Sequence, residues 1–266
     1  MNHFRNETAS DLILSLDWIS YFENNTLDRF PIPWDSTTPL SDDEYKAIAR
    51  SISIFQLGES SDAKAFKRAA ERYVGESGDV DYLYAHRLFV EEEHLHAALL
   101  KRFMDRHDIP TRTHSWSDTV FRVIRRGRDL EHAILILVTA EFIARIYYDA
   151  LRDATRSPIL RTICDQILQD ERAHIKFQCQ RIAILRHRQL RPWIWCKTAL
   201  YRSFFTAACL VVWCDHRKVF NKARIGFTAY MRSAYGVLNP ALTEMQPRKT
   251  TTQAAAPCPI PEQLHT

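Results

Sequence analysis

The sequence predicts an all-α protein, and three observations lead to this prediction. The 266-residue chain contains only six glycines, so it offers few of the tight turns that short strands need. Long stretches are rich in Ala, Leu, Ile, Arg and Glu, a composition that favours helices. Apolar residues recur at steps of three and four, which marks one face of a helix. We therefore expect amphipathic helices around a sizeable core.

The chain is predicted to divide into four parts. An irregular or helical lead-in covers residues 1–40, where prolines after Asp28 prevent a continuous helix. Residues 41–190 carry four amphipathic helices. Residues 191–238 carry one or two basic, aromatic helices, roughly 193–214 and 216–236. Residues 239–266 are polar and proline-rich, which is typical of a disordered tail.

The first of the four helices is predicted to begin near Ser41, because the sequence SDDE supplies an N-cap residue followed by acids in the first turn. Its apolar stripe continues to Phe66 in steps of three and four. Glu59 stands in that stripe where an apolar residue is due. This helix is therefore expected to carry a carboxylate on its inward face.

The second helix follows the GESGDVD turn. Its stripe passes through Glu93 and His96, so both side chains are expected to point inward. Glu91 and His94 lie off the stripe and are expected to point away from it. His86 also falls on the stripe, one heptad before Glu93, and either reaches the same site or is a hydrogen-bonded core histidine.

The third and fourth helices repeat this pattern. The third opens near Ser117 and brings Glu141 into its apolar stripe. The fourth opens at Ser157–Pro158, where serine suits the N-cap and proline suits the first turn. Its stripe contains Glu171 and His174. Each of the four helices thus brings a glutamate inward, and two of them add a histidine three residues later.

Residues 192–214 come nearest to a membrane segment, but Lys197 and Arg202 interrupt them. A spanning helix needs roughly 20 predominantly apolar residues. We therefore expect a buried or partner-facing helix, with a helix on a membrane surface as the alternative, since aromatic and basic residues are mixed. The N-terminal residues contain acids and no long apolar run, so a signal peptide is not expected.

Charge and cysteine usage predict a cytoplasmic protein with a basic C-terminal region. The formal net charge is only +4, but residues 181–249 are strongly basic. This excess could meet an acidic partner, anionic lipid or nucleic acid, or form a solvated surface. The cysteines include no CxxC pair and are expected to be reduced core thiols. The six are Cys164, Cys179, Cys196, Cys209, Cys214 and Cys258.

The inward-facing acids and histidines have the composition of a dinuclear metal site. Residues three apart on a helix lie on one face, about 4.5 Å apart along its axis, so Glu and His at that spacing can bind one ion. Four buried carboxylates would repel one another strongly without cations between them. Carboxylates with imidazoles favour iron or manganese over zinc. The predicted ligands are Glu59, Glu93, His96, Glu141, Glu171 and His174.

A single ExxH sequence on a helix is usually a solvated surface pair. Here the order is E, ExxH, E, ExxH with every member on an apolar stripe, an order that chance rarely produces. Residues 92–96 (EEHLH) and 170–174 (DERAH) resemble the paired (D/E)ExxH motifs of the ferritin-like dimetal-carboxylate superfamily. The resemblance covers about residues 41–187. It implies a ferritin-like four-helix bundle, here with additional C-terminal helices.

The resemblance also implies residues around the ligands. In this superfamily the acid before the ligand Glu often hydrogen-bonds a ligand His, which makes Glu92 and Asp170 candidates for that role. An exposed position for Glu92 is the alternative. Arg145, one turn past Glu141, either pairs with such an acid or forms a surface salt bridge.

The sequence departs from the motifs of individual branches of this superfamily, and these differences narrow the choice of member. Leu100 stands where ribonucleotide reductase small subunits have a radical-forming tyrosine, and Ile167 where arylamine N-oxygenases have a third histidine. Ferritins keep one ExxH, and rubrerythrins usually carry a CxxC module that this chain lacks. The superfamily is therefore indicated without a particular member.

The resemblance implies a non-haem di-iron oxidoreductase that uses dioxygen to hydroxylate, desaturate or N-oxygenate an organic substrate. Two iron ions are the expected cofactor, with a manganese–iron pair as the alternative. The apolar stripes favour a hydrophobic small molecule or acyl chain. Expected partners are an electron-donor protein, an acidic carrier protein at the basic region, a membrane surface or a second copy, but not nucleic acid. The alternatives are an oxidase that reduces peroxide or oxygen, and a non-catalytic iron-binding or storage protein.

Overall fold

The computed structural model describes residues 3–60, 64–113 and 129–247, which form eight α-helices and no strand. The prediction of an all-α protein is confirmed. No helix in these ranges is long and apolar enough to cross a bilayer. The helices are α1 (His3–Asn25), α2 (Asp42–Glu59), α3 (Lys64–Ser77), α4 (Val80–Arg106), α5 (Leu130–Ala154), α6 (Pro158–Arg186), α7 (Arg191–Lys222) and α8 (Phe227–Glu244).

Two predicted helix starts are confirmed by their capping contacts. Ser41 precedes α2, and its Oγ accepts a hydrogen bond from the backbone N–H of Glu44 while the Glu44 carboxylate accepts one from the Ser41 N–H. Ser157 caps α6 by accepting a hydrogen bond from the Leu160 N–H through its Oγ. The start predicted near Ser117 lies outside the described residues, and α5 begins after the cap at Asp129.

The first predicted helix is divided in the structure, which corrects its extent. α2 ends at Glu59, and α3 begins at Lys64 instead of continuing the same stripe to Phe66. Gly58 and Ser60 are weak helix formers, and the Ser60 hydroxyl donates to the carbonyl of Leu57. These residues end the helix just where Glu59 reaches the interior.

The boundaries at the C-terminal end also differ from prediction. α7 runs without interruption to Lys222, and the turn falls at 223–226. α8 continues through Pro240 to Glu244, so the tail does not begin at Asn239. The helix persists because its apolar stripe does: Leu238 and Leu242 are buried. Residues 248–266 of the predicted tail lie outside the described residues.

The four helices that carry the predicted ligands form a closed ring of contacts. α2 packs on α4, α4 on α6, α6 on α5, and α5 on α2, with α5 and α6 sharing the most extensive contact. Around this ring, α1 packs on α4, α7 packs on α2 and α5, and α8 lies against α5 and α6. The inward faces of α2, α4, α5 and α6 therefore meet in one interior.

The cysteines only partly follow the expectation of core thiols. Cys164, Cys179 and Cys209 are buried, whereas Cys196 and Cys214 are exposed on α7. Burial raises the pKa of the Cys164 thiol well above its ordinary value. The buried three are therefore protonated packing residues, and the two on α7 belong to a surface.

Candidate metal centre

The six predicted ligands converge in the interior of the ring. They form two groups, in each of which one atom from every side chain lies within 4.8 Å of the others. Glu93 belongs to both groups, so the groups adjoin one another. Each can hold a metal ion. The first consists of Glu93, Glu141, Glu171 and His174, and the second of Glu59, Glu93 and His96.

Several polar atoms of this cluster are buried without a hydrogen bond. They are Nδ1 of His96, Nδ1 of His174, Oε1 of Glu93 and both carboxylate oxygens of Glu171. His174 Nδ1 lies 2.8 Å from Glu93 Oε1 but without the alignment of a hydrogen bond. Leaving one such atom unpaired costs about 1–3 kcal/mol. These atoms fit the role of metal ligands, because cations held by the two groups would satisfy all of them.

Both histidines are held by an acid from the other helix. His96 on α4 places Nε2 2.9 Å from Asp170 on α6, and His174 on α6 places Nε2 2.9 Å from Glu92 on α4. A carboxylate only accepts, so Nε2 donates the hydrogen and Nδ1 is the atom turned towards the cluster. The structure thus gives Glu92 and Asp170 the contacts that the resemblance implied, and both are buried.

A cation from the lead-in segment joins these two acids. Arg29 lies 2.8 Å from Glu92 and 2.6 Å from Asp170, and the Asn25 amide donates to both carboxylates at 2.7 and 2.9 Å. Burial opposes ionisation of Asp170, but the hydrogen bond from His96 and the charge of Arg29 hold its pKa well below the ordinary value. Asp170 is therefore ionised.

Arg29 and Asn25 were not predicted to be site residues. The signal that points to them is a charge imbalance, since two buried acids beyond the six ligands need a cation of their own. That signal says that a cation is required. It does not say where in the chain it lies.

The cluster itself holds an excess of negative charge. Burial, together with the charges of Glu141 and Glu59, raises the pKa of Glu93 well above its ordinary value. Burial and the same Glu141 charge do so for Glu171. Burial lowers the pKa of His174, but the neighbouring carboxylates, Glu93 foremost, outweigh it and raise that pKa well above the ordinary value. Protons or metal cations must balance these charges.

The two remaining candidate ligands, Glu59 and Glu141, are held by neutral donors. The Tyr148 hydroxyl donates to Glu59 Oε1 at 2.6 Å, and the Gln178 amide donates to Glu141 Oε1 at 3.2 Å. The contact of Tyr148 with Glu59 was not predicted. The position of Tyr148 on α5, seven residues after Glu141, places it two turns along the same face. Neutral donors orient these carboxylates without cancelling the charge that a metal would need.

His86 takes the core position that the sequence offered as an alternative, whereas Arg145 makes neither of its two predicted contacts among the described residues. His86 is a core residue stacked on Phe66, with ring centroids 4.2 Å apart, and it belongs to neither ligand group. Arg145 lines an open groove of about 750 Å3 together with Arg172. In the described ranges it forms no ion pair, and the acids it was expected to meet are held by Arg29. Periodicity gave the face of each helix correctly but not the contact.

The donor set of four carboxylates and two imidazoles suits a hard or borderline divalent metal. No family model, no curated protein and no solved structure matches this chain. Its chemistry is therefore inferred from the residues of the site. Those residues form a buried Glu and His cluster that can hold a metal ion.

Proposed function

We propose that the protein is a ferritin-like dimetal-carboxylate oxidoreductase that binds two iron ions and uses dioxygen to oxidise an organic substrate. The observation that carries this proposal is the pair of crossed histidines, each fixed through Nε2 and each turning Nδ1 to the carboxylates. Two adjoining ligand groups that share Glu93 favour two ions over one. The closed ring of α2, α4, α6 and α5 supports the bundle.

The ligand chemistry supports iron over zinc or magnesium. Imidazole nitrogens suit iron and disfavour an all-oxygen magnesium site, and the excess of carboxylates disfavours structural zinc. Four glutamate charges would balance two divalent ions. Such a pair, when reduced, would supply electrons to dioxygen and so activate it to oxidise a substrate.

The chain's own residues would keep the site rigid and dry. Arg29 holds Glu92 and Asp170, and these acids hold the two histidines. The Phe89 ring meets His174 edge-on, with centroids 4.7 Å apart, and Phe22 lies on the same histidine at 6.1 Å. Packing of this kind excludes water and fixes ligand orientation.

The groove lined by Arg145 and Arg172 is large enough for a small organic molecule, but none of the six candidate ligands lines it. Its volume of about 750 Å3 falls in the range of small-molecule sites. Arg145 lies one turn beyond Glu141 on α5, and Arg172 follows Glu171 on α6. Its walls also include the apolar Ile146 and Leu168.

Anaerobic reconstitution with ferrous iron would test the proposal. Purified protein is loaded, its metal content is measured, and an oxygen pulse is followed by optical absorption. We expect two irons per chain and a transient oxygen-dependent absorption band, both lost in Glu93→Ala because Glu93 belongs to both ligand groups. Glu91→Ala is the matched control, since Glu91 is an exposed residue of the same helix.

The other outcomes separate the alternatives. One iron or none, with no response to oxygen, would overturn the proposal. Two irons that never react with oxygen would indicate a binding or storage protein. Oxygen consumption that no organic compound alters, in single turnovers with candidate substrates, would favour the peroxide- or oxygen-reducing oxidase.

A further inference from the structure

The first turns of α7 expose four large apolar side chains. Leu190 is 78% exposed, Trp193 58%, Trp195 72% and Leu200 73%. Tryptophan is usually well buried, and a group of large apolar residues on the surface marks an interaction site. We call these four residues the tryptophan patch.

The patch is separate from the face by which α7 joins the fold. Ile194, Tyr201 and Phe205 on that face are buried, and α7 packs through it on α2 and α5. Cys196 and Ala199 lie between the members of the patch and are exposed as well. α7 therefore carries apolar residues on both sides, and its packing on the fold accounts for only one of them.

The charged residues in the sequence around the patch are all basic. The stretch 188–214 contains no acid and four basic residues, Arg188, Arg191, Lys197 and Arg202. Lys197 reaches inward to Glu131 at 2.6 Å, whereas Arg191 and Arg202 are exposed beside the patch. A surface that combines exposed tryptophan, leucine and arginine has both an apolar and a cationic component.

We propose that the tryptophan patch docks the protein onto an anionic lipid surface. Tryptophan prefers the interface between headgroups and acyl chains, and basic side chains beside it attract anionic headgroups. No helix in the described ranges can span a bilayer, so the contact is one of surface association.

Charge complementarity selects this occupant over a second copy of the chain. A two-fold interface places the same patch on both partners. Arginines would then face arginines, and the stretch supplies no acid to pair with them. An anionic surface supplies the missing negative charge. The proposal is independent of the metal centre and of the oxidation assigned to it.

Vesicle sedimentation with the full-length protein tests the proposal. We expect binding to vesicles of phosphatidylcholine mixed with phosphatidylglycerol, weaker binding at high salt, and little binding to phosphatidylcholine alone. The double variant Trp193→Ser/Trp195→Ser should bind roughly tenfold more weakly or worse. Arg191→Gln and Arg202→Gln should each weaken binding to the anionic vesicles about fivefold.

Two controls test whether vesicle binding depends on the tryptophan patch, and a separate measurement tests folding. Leu27→Ser removes an exposed leucine from another surface and should leave vesicle binding unchanged. A polarity-sensitive dye on the exposed Cys196, compared with one on Cys214, should shift to shorter wavelength only when anionic vesicles are present. The helicity of each variant establishes that the chain is folded.

Three results would overturn the proposal: no binding of the unaltered protein to anionic vesicles, equal binding to both kinds of vesicle, or binding that survives the double tryptophan variant. A dimer that dissociates in the double variant, without any vesicle binding, would instead assign the patch to a second copy.

Discussion

The two ligand groups contain the same chemistry at different depths. In the group of His174, Glu141 and Glu171 are buried along with the histidine. In the group of His96, Glu59 is only partly buried, as is Glu93, which belongs to both groups. Each histidine is held in the same way by an acid from the opposite helix. The difference indicates that the His174 position is closed and the His96 position lies nearer to solvent, so the two should differ in retention and exchange of a metal.

The largest expected effect comes from removing a ligand on either side of this comparison. Glu171→Ala should reduce bound iron to less than one ion per chain, because Glu171 is fully buried and both its oxygens lack other partners. Glu59→Ala should retain close to one ion, held by the deeper group. Metal analysis after anaerobic loading measures both, and equal losses would show that depth does not distinguish the positions.

Removing Arg29 should destabilise the protein through both of the acids that hold the histidines. Arg29→Ala leaves Glu92 and Asp170 buried without their cation, which should lower the free energy of unfolding by about 3 kcal/mol. Urea denaturation measures this. Arg50→Ala is the control, because its ion pair with Asp215 is long, at 3.6 Å, and Arg50 is largely exposed, so its loss should cost less than about 0.5 kcal/mol. A similar cost for both variants would contradict the role assigned to Arg29.

The crossed hydrogen bonds predict that each acid affects the position on the other helix. Asp170→Asn should weaken metal binding at the His96 position roughly 10–100-fold, and Glu92→Gln should do the same at the His174 position. Calorimetric titration with ferrous iron should then show the weaker step affected in Asp170→Asn and the tighter step in Glu92→Gln. If Asp170→Asn affected the tighter step and Glu92→Gln the weaker one, the His174 position would not be the tighter of the two.

Two histidines outside the cluster have a lowered pKa, in contrast to His174, whose pKa is raised. Burial lowers the pKa of His86 to about 3, and burial followed by the charge of Arg50 does the same for His216. Both are neutral in the folded protein, whereas the unfolded chain takes up their protons near pH 6.5. Their stabilising contribution is therefore present above that pH and is lost as the pH falls towards 3.

The variant His86→Phe isolates the contribution of His86 to the pH dependence of stability, because phenylalanine can keep the stack on Phe66. Between pH 6 and 4 the unfolding free energy of the unaltered protein should fall more steeply than that of the variant, by up to about 1.4 kcal/mol per pH unit. Denaturation series at several pH values measure both slopes. Parallel curves would mean that His86 is already protonated in the fold.

The smallest effect is expected from Tyr148→Phe. The change removes the hydrogen bond to Glu59, one neutral donor on the more exposed side of the cluster. It should cost about 1 kcal/mol of stability and leave iron at two per chain. Thermal unfolding and metal analysis measure these quantities, and the loss of one iron would show that Tyr148 contributes more to the site than orientation of Glu59.

The sequence predicted which acids and histidines converge in the interior because a helix converts spacing into direction. Glu93 with His96, and Glu171 with His174, fall on inward faces by periodicity alone. The same rule placed His86 on an inward face, where it is buried, but the two turns that separate it from Glu93 span about 10 Å, so it stacks on Phe66 and belongs to neither ligand group. Periodicity defines a face and says little about height along the bundle.

Arg29 was beyond the reach of such rules. Its contact with Asp170 joins residues 141 positions apart, and it comes from a segment without helical periodicity. The division between α2 and α3 was missed for a different reason, since weak helix formers at Gly58 and Ser60 interrupt an otherwise regular stripe. Neither long-range pairing nor local helix termination could be predicted from helical periodicity alone.

The crossed bonds between α4 and α6 also fix the register of these helices. A slide of one residue along the axis, about 1.5 Å, would break the His96–Asp170 and His174–Glu92 bonds together. A shift of one motif along its helix, or the replacement of its acid, would therefore misalign the histidine of the other motif. Substitutions in one motif should be tolerated only when the other changes with it, so the two segments are expected to evolve as a coupled pair.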